Sequence, residues 1–213
     1  MLKKLLESWK SLSAADRVKH VILYLIGVGI MPLGVVLTVN AHLGAGGYDA
    51  LNFALADFFG INPSIAIFST AFCVLLITAA VRRGFPNVLT FVSSFFLGLF
   101  TDFWEWMLRR VEAHSVLTGV ALMVLGLAVI GFAVACYVIS IFPTNPTDDL
   151  IVALHEKGWN LGLSKILLDT ICAAIAFLLG GEIGLGTVLV TFGLGPVIDL
   201  NHKLVMKLTG FKE

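Results

Sequence analysis

"HLGAGGYDALNFAL", residues 42–55, interrupts an apolar chain with three glycines, a tyrosine and an aspartate. "PTNPTDDLIVAL", residues 143–154, interrupts it again with two prolines and two aspartates, and both stretches carry D-x-L-x-x-A-L. Working outward, a shift of 99 positions brings Asp49 onto Asp148, Leu51 onto Leu150, Ala54 onto Ala153 and Leu55 onto Leu154. It also brings Gly27 onto Gly126, Ile67 onto Ile166 and Cys73 onto Cys172. A shift of 97 matches Thr90 with Thr187, Phe95 with Phe192, Leu97 with Leu194, Gly98 with Gly195 and Asp102 with Asp199. Apolar matches are cheap in such a chain, but two aspartates in register with their neighbours point to an internal repeat.

The solvent of this chain is lipid. Of its 213 residues 58% are hydrophobic and 13% charged, with mean hydropathy +0.97. Soluble domains carry about 25% charged residues. Zero net charge gives no reason to expect nucleic acid as a partner. Cys73, Cys136 and Cys172 lie inside apolar runs, too few and too scattered for a disulfide framework, and read as packing residues.

A span needs about 20 apolar residues. Six stretches qualify, at about 20–40, 63–81, 87–108, 116–142, 162–180 and 184–206. Two shorter helical patterns, about 48–59 and 147–157, follow the first and fourth. With the N-terminus inside, every Lys and Arg except Arg109 and Arg110 faces the cytoplasm, so both termini are expected there. Residues 1–19 read as a cytoplasmic amphipathic segment, and residues 20–213 as one transmembrane domain. The fold class is therefore all-α and polytopic, with repeat one at about 20–110 and repeat two at about 116–207. An odd number of spans per repeat inserts the second copy upside down, the inverted arrangement common among secondary transporters. Each copy carries a short discontinuous or re-entrant helix.

Irregular backbone at membrane depth survives only when buried in protein or lining a wet cavity. The breaks at 44–49 and 143–148 are therefore expected to converge on one polar cavity, with Asp49 and Asp148 as helix N-caps or as groups facing a solute. Asn40, Tyr48, Asn52, Asn145 and Asp149 supply further polar groups, and His42 sits beside the first break. Ionisable residues within spans are functional candidates by default. Asp102 and Asp199 form a repeat-related pair suited to handling a proton or cation, with Glu105 and His202 three residues on. Asp169 with Lys165 reads as an i,i+4 ion pair near the cytoplasmic end of the fifth span. Gly193, Gly195 and Pro196 suggest close helix packing and a kink, and Trp104, Trp106 and Trp159 suggest interface anchors.

No phosphate-binding loop, H-E-x-x-H, G-x-S-x-G or paired-Cys redox motif occurs, and no metal-spaced His/Cys cluster. The chain reads as no enzyme and as requiring no cofactor and no metal. The break "GAGGYD" at 44–49 and the segments "TFVSSFFLGLFTD" at 90–102 and "GTVLVTFGLGPVID" at 186–199 resemble the YczE/YitT-type family of bacterial integral membrane proteins. The resemblance covers most of the chain beyond the first twenty residues and implies a small polytopic inner-membrane protein. The residues themselves point to a secondary transporter or exporter of a small solute, proton-coupled through Asp102 and Asp199. A channel and a non-transporting scaffold or lipid-binding partner are the alternatives. The expected partners are a small solute or ion and membrane lipid, and a homodimer is compatible with this reading.

Overall fold

The computed structural model describes residues 9–143 and 145–210. Among them the chain is helical, in the order α1 Ala14–Val39, α2 Gly47–Phe59, α3 Pro63–Arg82, α4 Val88–Leu108, α5 Val116–Ile139, α6 Pro146–His155, α7 Leu161–Leu178 and α8 Leu185–Thr209. Five of these, α1, α3, α4, α5 and α8, are long and apolar enough to cross a membrane. The 18-residue α7, expected as a sixth span, is not among the five. Lys165 and Asp169 lie in its second and third turns. The chain is thus a multi-pass helical membrane protein. Of the expected N-terminal segment, residues 1–8 lie outside the described residues and residues 14–19 are continuous with the first span: Ser13 caps α1 by accepting from the Asp16 amide, and α1 runs from Ala14 into the apolar stretch.

The helices end where local chemistry requires it. Gly60 closes α2 in the left-handed conformation at φ +63°, and Pro63 opens α3 two residues after Ile61. Ser115 and Thr118 form a reciprocal cap at the start of α5.

α1 and α5 form the central pair. A Cβ on Gly27 would sit 2.7 Å from the Ala133 carbonyl oxygen and 2.7 Å from Tyr137 Cβ. A Cβ on Gly126 would sit 2.8 Å from the Gly34 carbonyl oxygen and 2.6 Å from Thr38 Cγ2. Small residues allow this approach, and in lipid such packing is a main source of helix association. Around this seam Val35, Met123, Ile130, Val134, Tyr137, Val190 and Leu194 form the largest apolar cluster.

Around this pair, α4 and α8 stay within their own halves, and the short helices cross to the other half. α4 packs on α1 and α8 on α5, while the short α2 packs on α7 and the short α6 on α3. Ala50, Leu51 and Ala54 meet Cys172 and Ala176 in the α2–α7 contact. α3 and α4 pack closely, with Phe68 and Phe95 stacked at 5.4 Å and Gly98 against Phe68 and Ser64. α7 and α8 hardly touch. The close packing expected at Gly193 and Gly195 is accordingly absent, since a Cβ on either would meet nothing within 4 Å.

Candidate functional site at the two helix breaks

Both short helices begin at repeat-matched positions, Gly47 and Pro146. Their N-caps are Gly46 and Asn145, and neither side chain caps the helix. Asp49 and Asp148 are therefore not N-caps, as one expectation had it. Each is the third residue of its helix, in the positive first turn, where a carboxylate complements the unpaired N–H groups.

Each break is tied to the last helix of the opposite half. Gly44 turns the chain at φ +93°, and a Cβ there would sit 2.5 Å from Thr187 Oγ1 and 2.5 Å from the Gly184 amide nitrogen. The Gly186 amide then donates to the Leu43 carbonyl at 2.7 Å. Gly47 lies on the backbone of Asp169, where a Cβ would strike the carbonyl oxygen. In the second break Ser93 Oγ donates to the Pro143 carbonyl at 2.8 Å and shares a 2.8 Å hydrogen bond with the Tyr24 hydroxyl. These ties supply partners for backbone that has left helix geometry, whose desolvation otherwise costs several kcal/mol per group.

Between the breaks lies a cavity of about 170 Å³, lined by Gly46, Tyr48 and Asp49 from the first and Asn145, Thr147 and Asp148 from the second. Lys165 and Asp169 of α7 and Tyr137 of α5 complete its polar wall, while Met31, Ile130, Val134, Val190, Leu194 and Ile198 form an apolar one. A smaller pocket of about 30 Å³ shares Met31, Tyr48, Asp49 and Asn145 and adds Asn52. One water occupies about 30 Å³ of liquid, so the larger cavity accommodates a small solute.

Charge in the cavity is unevenly paired. Lys165 Nζ lies 3.2 Å from Asp169 Oδ2. The Tyr137 hydroxyl donates to Asp148 Oδ2 at 2.9 Å. The Asp49 carboxylate accepts no hydrogen bond from a described residue, and Asn145 Oδ1 is buried without a partner. Neither α2 nor α6 is among the spanning helices, and burial pushes the carboxyls of Asp49 and Asp148 above the usual range. At Asp49 the neighbouring Asp169 adds to the rise and Lys165 opposes it.

The other candidates lie apart from this cavity. Asn40 caps the end of α1 and donates to the Val111 carbonyl at 2.8 Å. Asn52 accepts from Thr70 Oγ1 at 2.6 Å, and that hydroxyl shares a 3.0 Å bond with Tyr48, which holds the tyrosine at the cavity wall. Asp149 is buried against Arg82, with Oδ1 to Nη1 at 2.8 Å, and Arg82 also reaches Glu156 at 3.0 Å. Asp102 Oδ1 accepts from the Ser64 amide at 2.9 Å at the start of α3, and Asp199 is exposed on α8. Neither lines the cavity. His42, at φ +52°, meets Glu182 at 2.9 Å near the first break. Of the tryptophans, Trp106 and Trp159 are exposed, while Trp104 donates to the Gly29 carbonyl at 2.8 Å.

Lys165 and Asp169 were legible as an i,i+4 pair, but their place at the cavity was not. It depends on α2 of the other half docking on α7. Tyr137 and Thr147 gave no signal in the sequence, because a tyrosine near the end of a span and a threonine beside a proline have ordinary structural uses.

Residues 18–203 match a family described as "Family of unknown function (DUF6198)". The chain is 29% identical over 190 residues to "Uncharacterized membrane protein YczE" of Bacillus subtilis (strain 168), covering 88% of this chain and 87% of that one. It is 28% identical over 177 residues to "Uncharacterized protein YyaS" of the same organism, covering 82% and 88%. A Haemophilus influenzae "Uncharacterized protein" is 24% identical over 206 residues, covering 94% and 92%. No solved structure matches the chain significantly. With nearly its whole length matched in these comparisons, the chain belongs to the YczE-type family of membrane proteins.

Proposed function

We propose that the protein is a proton-coupled secondary transporter of a small solute, and not an enzyme, with its site in the cavity between α2 and α6. One observation carries the reading: the N-terminal turns of both short helices face one cavity containing Asp49, Asp148, Asp169 and Lys165. Ionisable groups at membrane depth mark substrate and ion pathways. Proton coupling falls to Asp49 and Asp148, since Asp102 and Asp199 lie off the cavity.

In this reading α7 is the sixth span and the halves are inverted repeats in the bacterial inner membrane, both termini cytoplasmic. The reciprocal contacts of α1 and α5 support the inversion. Gly27 meets Ala133 and Tyr137, and its mate Gly126 meets their mates Gly34 and Thr38. Such exchange is what a two-fold axis between antiparallel helices produces. The swapped packing of α2 on α7 and α6 on α3 follows the same rule.

The test is reconstitution of the full-length protein into proteoliposomes holding a pH-sensitive dye, under an imposed proton gradient. Amines, amino acids and organic acids are offered by class. Transport predicts a change of internal pH for at least one class, lost in Asp49→Asn. If no class moves protons, the coupled-transport reading fails and a scaffold role takes its place.

A further inference from the structure

We propose that the cavity takes a small organic ammonium ion carrying an apolar body. The proposal rests on the transport reading of the same site and names its substrate class.

The unsatisfied groups of the cavity are acceptors. Lys165, the one cationic group among the described lining residues, is already paired with Asp169 at 3.2 Å. That leaves a single cation shared among three carboxylates, Asp49, Asp148 and Asp169, with its ion pair spent on Asp169. Asp148 has the Tyr137 hydroxyl at 2.9 Å. No hydrogen bond joins a described donor to the half-buried Asp49 carboxylate, and Asn145 Oδ1 in the same lining is buried without a partner. A buried acceptor left unpaired costs about 1–3 kcal/mol, more when charged, so a ligand bringing N–H donors and positive charge is favoured twice over.

An anionic ligand is disfavoured by the same residues. The positive ends of α2 and α6 would attract one, but each already carries an aspartate in its first turn. A bare metal ion fits poorly, because among the described residues no three His, Cys, Asp or Glu side chains stand together as a metal site. The apolar lining residues Met31, Val134, Val190 and Leu194 offer the apolar body a surface to pack on. Tyr48 and Tyr137 offer aromatic rings, which attract organic cations.

The experiment measures the charge preference of the cavity directly. In full-length protein with Cys73, Cys136 and Cys172 replaced by alanine, Met31→Cys places a thiol on the wall. It is reacted with a trimethylammonium-bearing and a sulfonate-bearing methanethiosulfonate reagent, each rate normalised to that with a free thiol. Val134→Cys repeats the measurement should the first variant fold poorly. The cationic reagent is expected to react at least about tenfold faster, as unpaired carboxylates at close range require. Benzylammonium should slow it and benzoate should not, and Asp49→Asn should cut the preference severalfold. A faster anionic reagent, or protection by benzoate alone, overturns the ammonium assignment while leaving a ligand-accessible cavity for the transport reading. Failure of both reagents to reach both thiols in well-folded protein overturns both.

Discussion

Gly47 and Gly193 are both helical glycines, yet their environments oppose each other. A Cβ on Gly47 would strike the Asp169 carbonyl, backbone that cannot move without shifting α7. Gly193 faces open space. Gly47→Ala is therefore expected to destabilise the protein by about 1–3 kcal/mol through overpacking. Gly193→Ala should be neutral or slightly stabilising, as alanine is the better helix former. Thermal unfolding of the two purified variants in one detergent checks the contrast. The same scale separates the aspartates. Asp102 receives the Ser64 amide at 2.9 Å, whereas Asp49 has no described donor. Asp102→Asn should leave solute-dependent proton movement largely intact and lower thermal stability, while Asp49→Asn should do the reverse. Flux and melting curves on both variants decide it.

The short helices hold their positions through contacts made across the two halves. Arg82 at the end of α3 anchors both ends of α6, at Asp149 and at Glu156. Asp149 is 6% exposed and Arg82 only about a quarter exposed at its side chain, so removing the arginine leaves a buried carboxylate uncompensated. Arg82→Gln is expected to cost about 3 kcal/mol. Combining it with Asp149→Asn should recover a large part, as a double-mutant cycle on melting temperatures would read. Much of this level was visible in the sequence. Apolar runs and the Gly/Pro breaks located the eight helices described above, because span length and backbone satisfaction leave few alternatives in lipid. The matched aspartates located the two short helices. The N-cap assignment was displaced because the helices begin at Gly47 and Pro146, leaving both aspartates in the third position. Asp102 and Asp199, expected to act as a pair, both stand off the cavity. They match in register, but one carboxylate receives the start of α3 and the other is exposed. Which long-range partner a side chain meets depends on the exchange of helices between halves, and no local pattern encodes it.

At the scale of the whole molecule, the tightly packed α3–α4 pair and the separated α7–α8 pair make the two halves unequal. Under the proposed inverted-repeat transport reading, such a difference suits alternating access, in which each half takes the other's arrangement in turn. The Lys and Arg distribution predicts both termini in the cytoplasm. Reporter fusions at residues 1 and 213 should both report the cytoplasmic side, and an external C-terminus would remove the six-span inverted reading. The central claim, that the cavity between the two short helices is a transport site, is met most directly by sidedness of access. Thr147→Cys in the cysteine-free protein, reconstituted in one known orientation, is treated with a membrane-impermeant cationic thiol reagent from either face. The account predicts labelling from both faces, slowed by transported solute. Labelling from one face alone, or from neither, would contradict it.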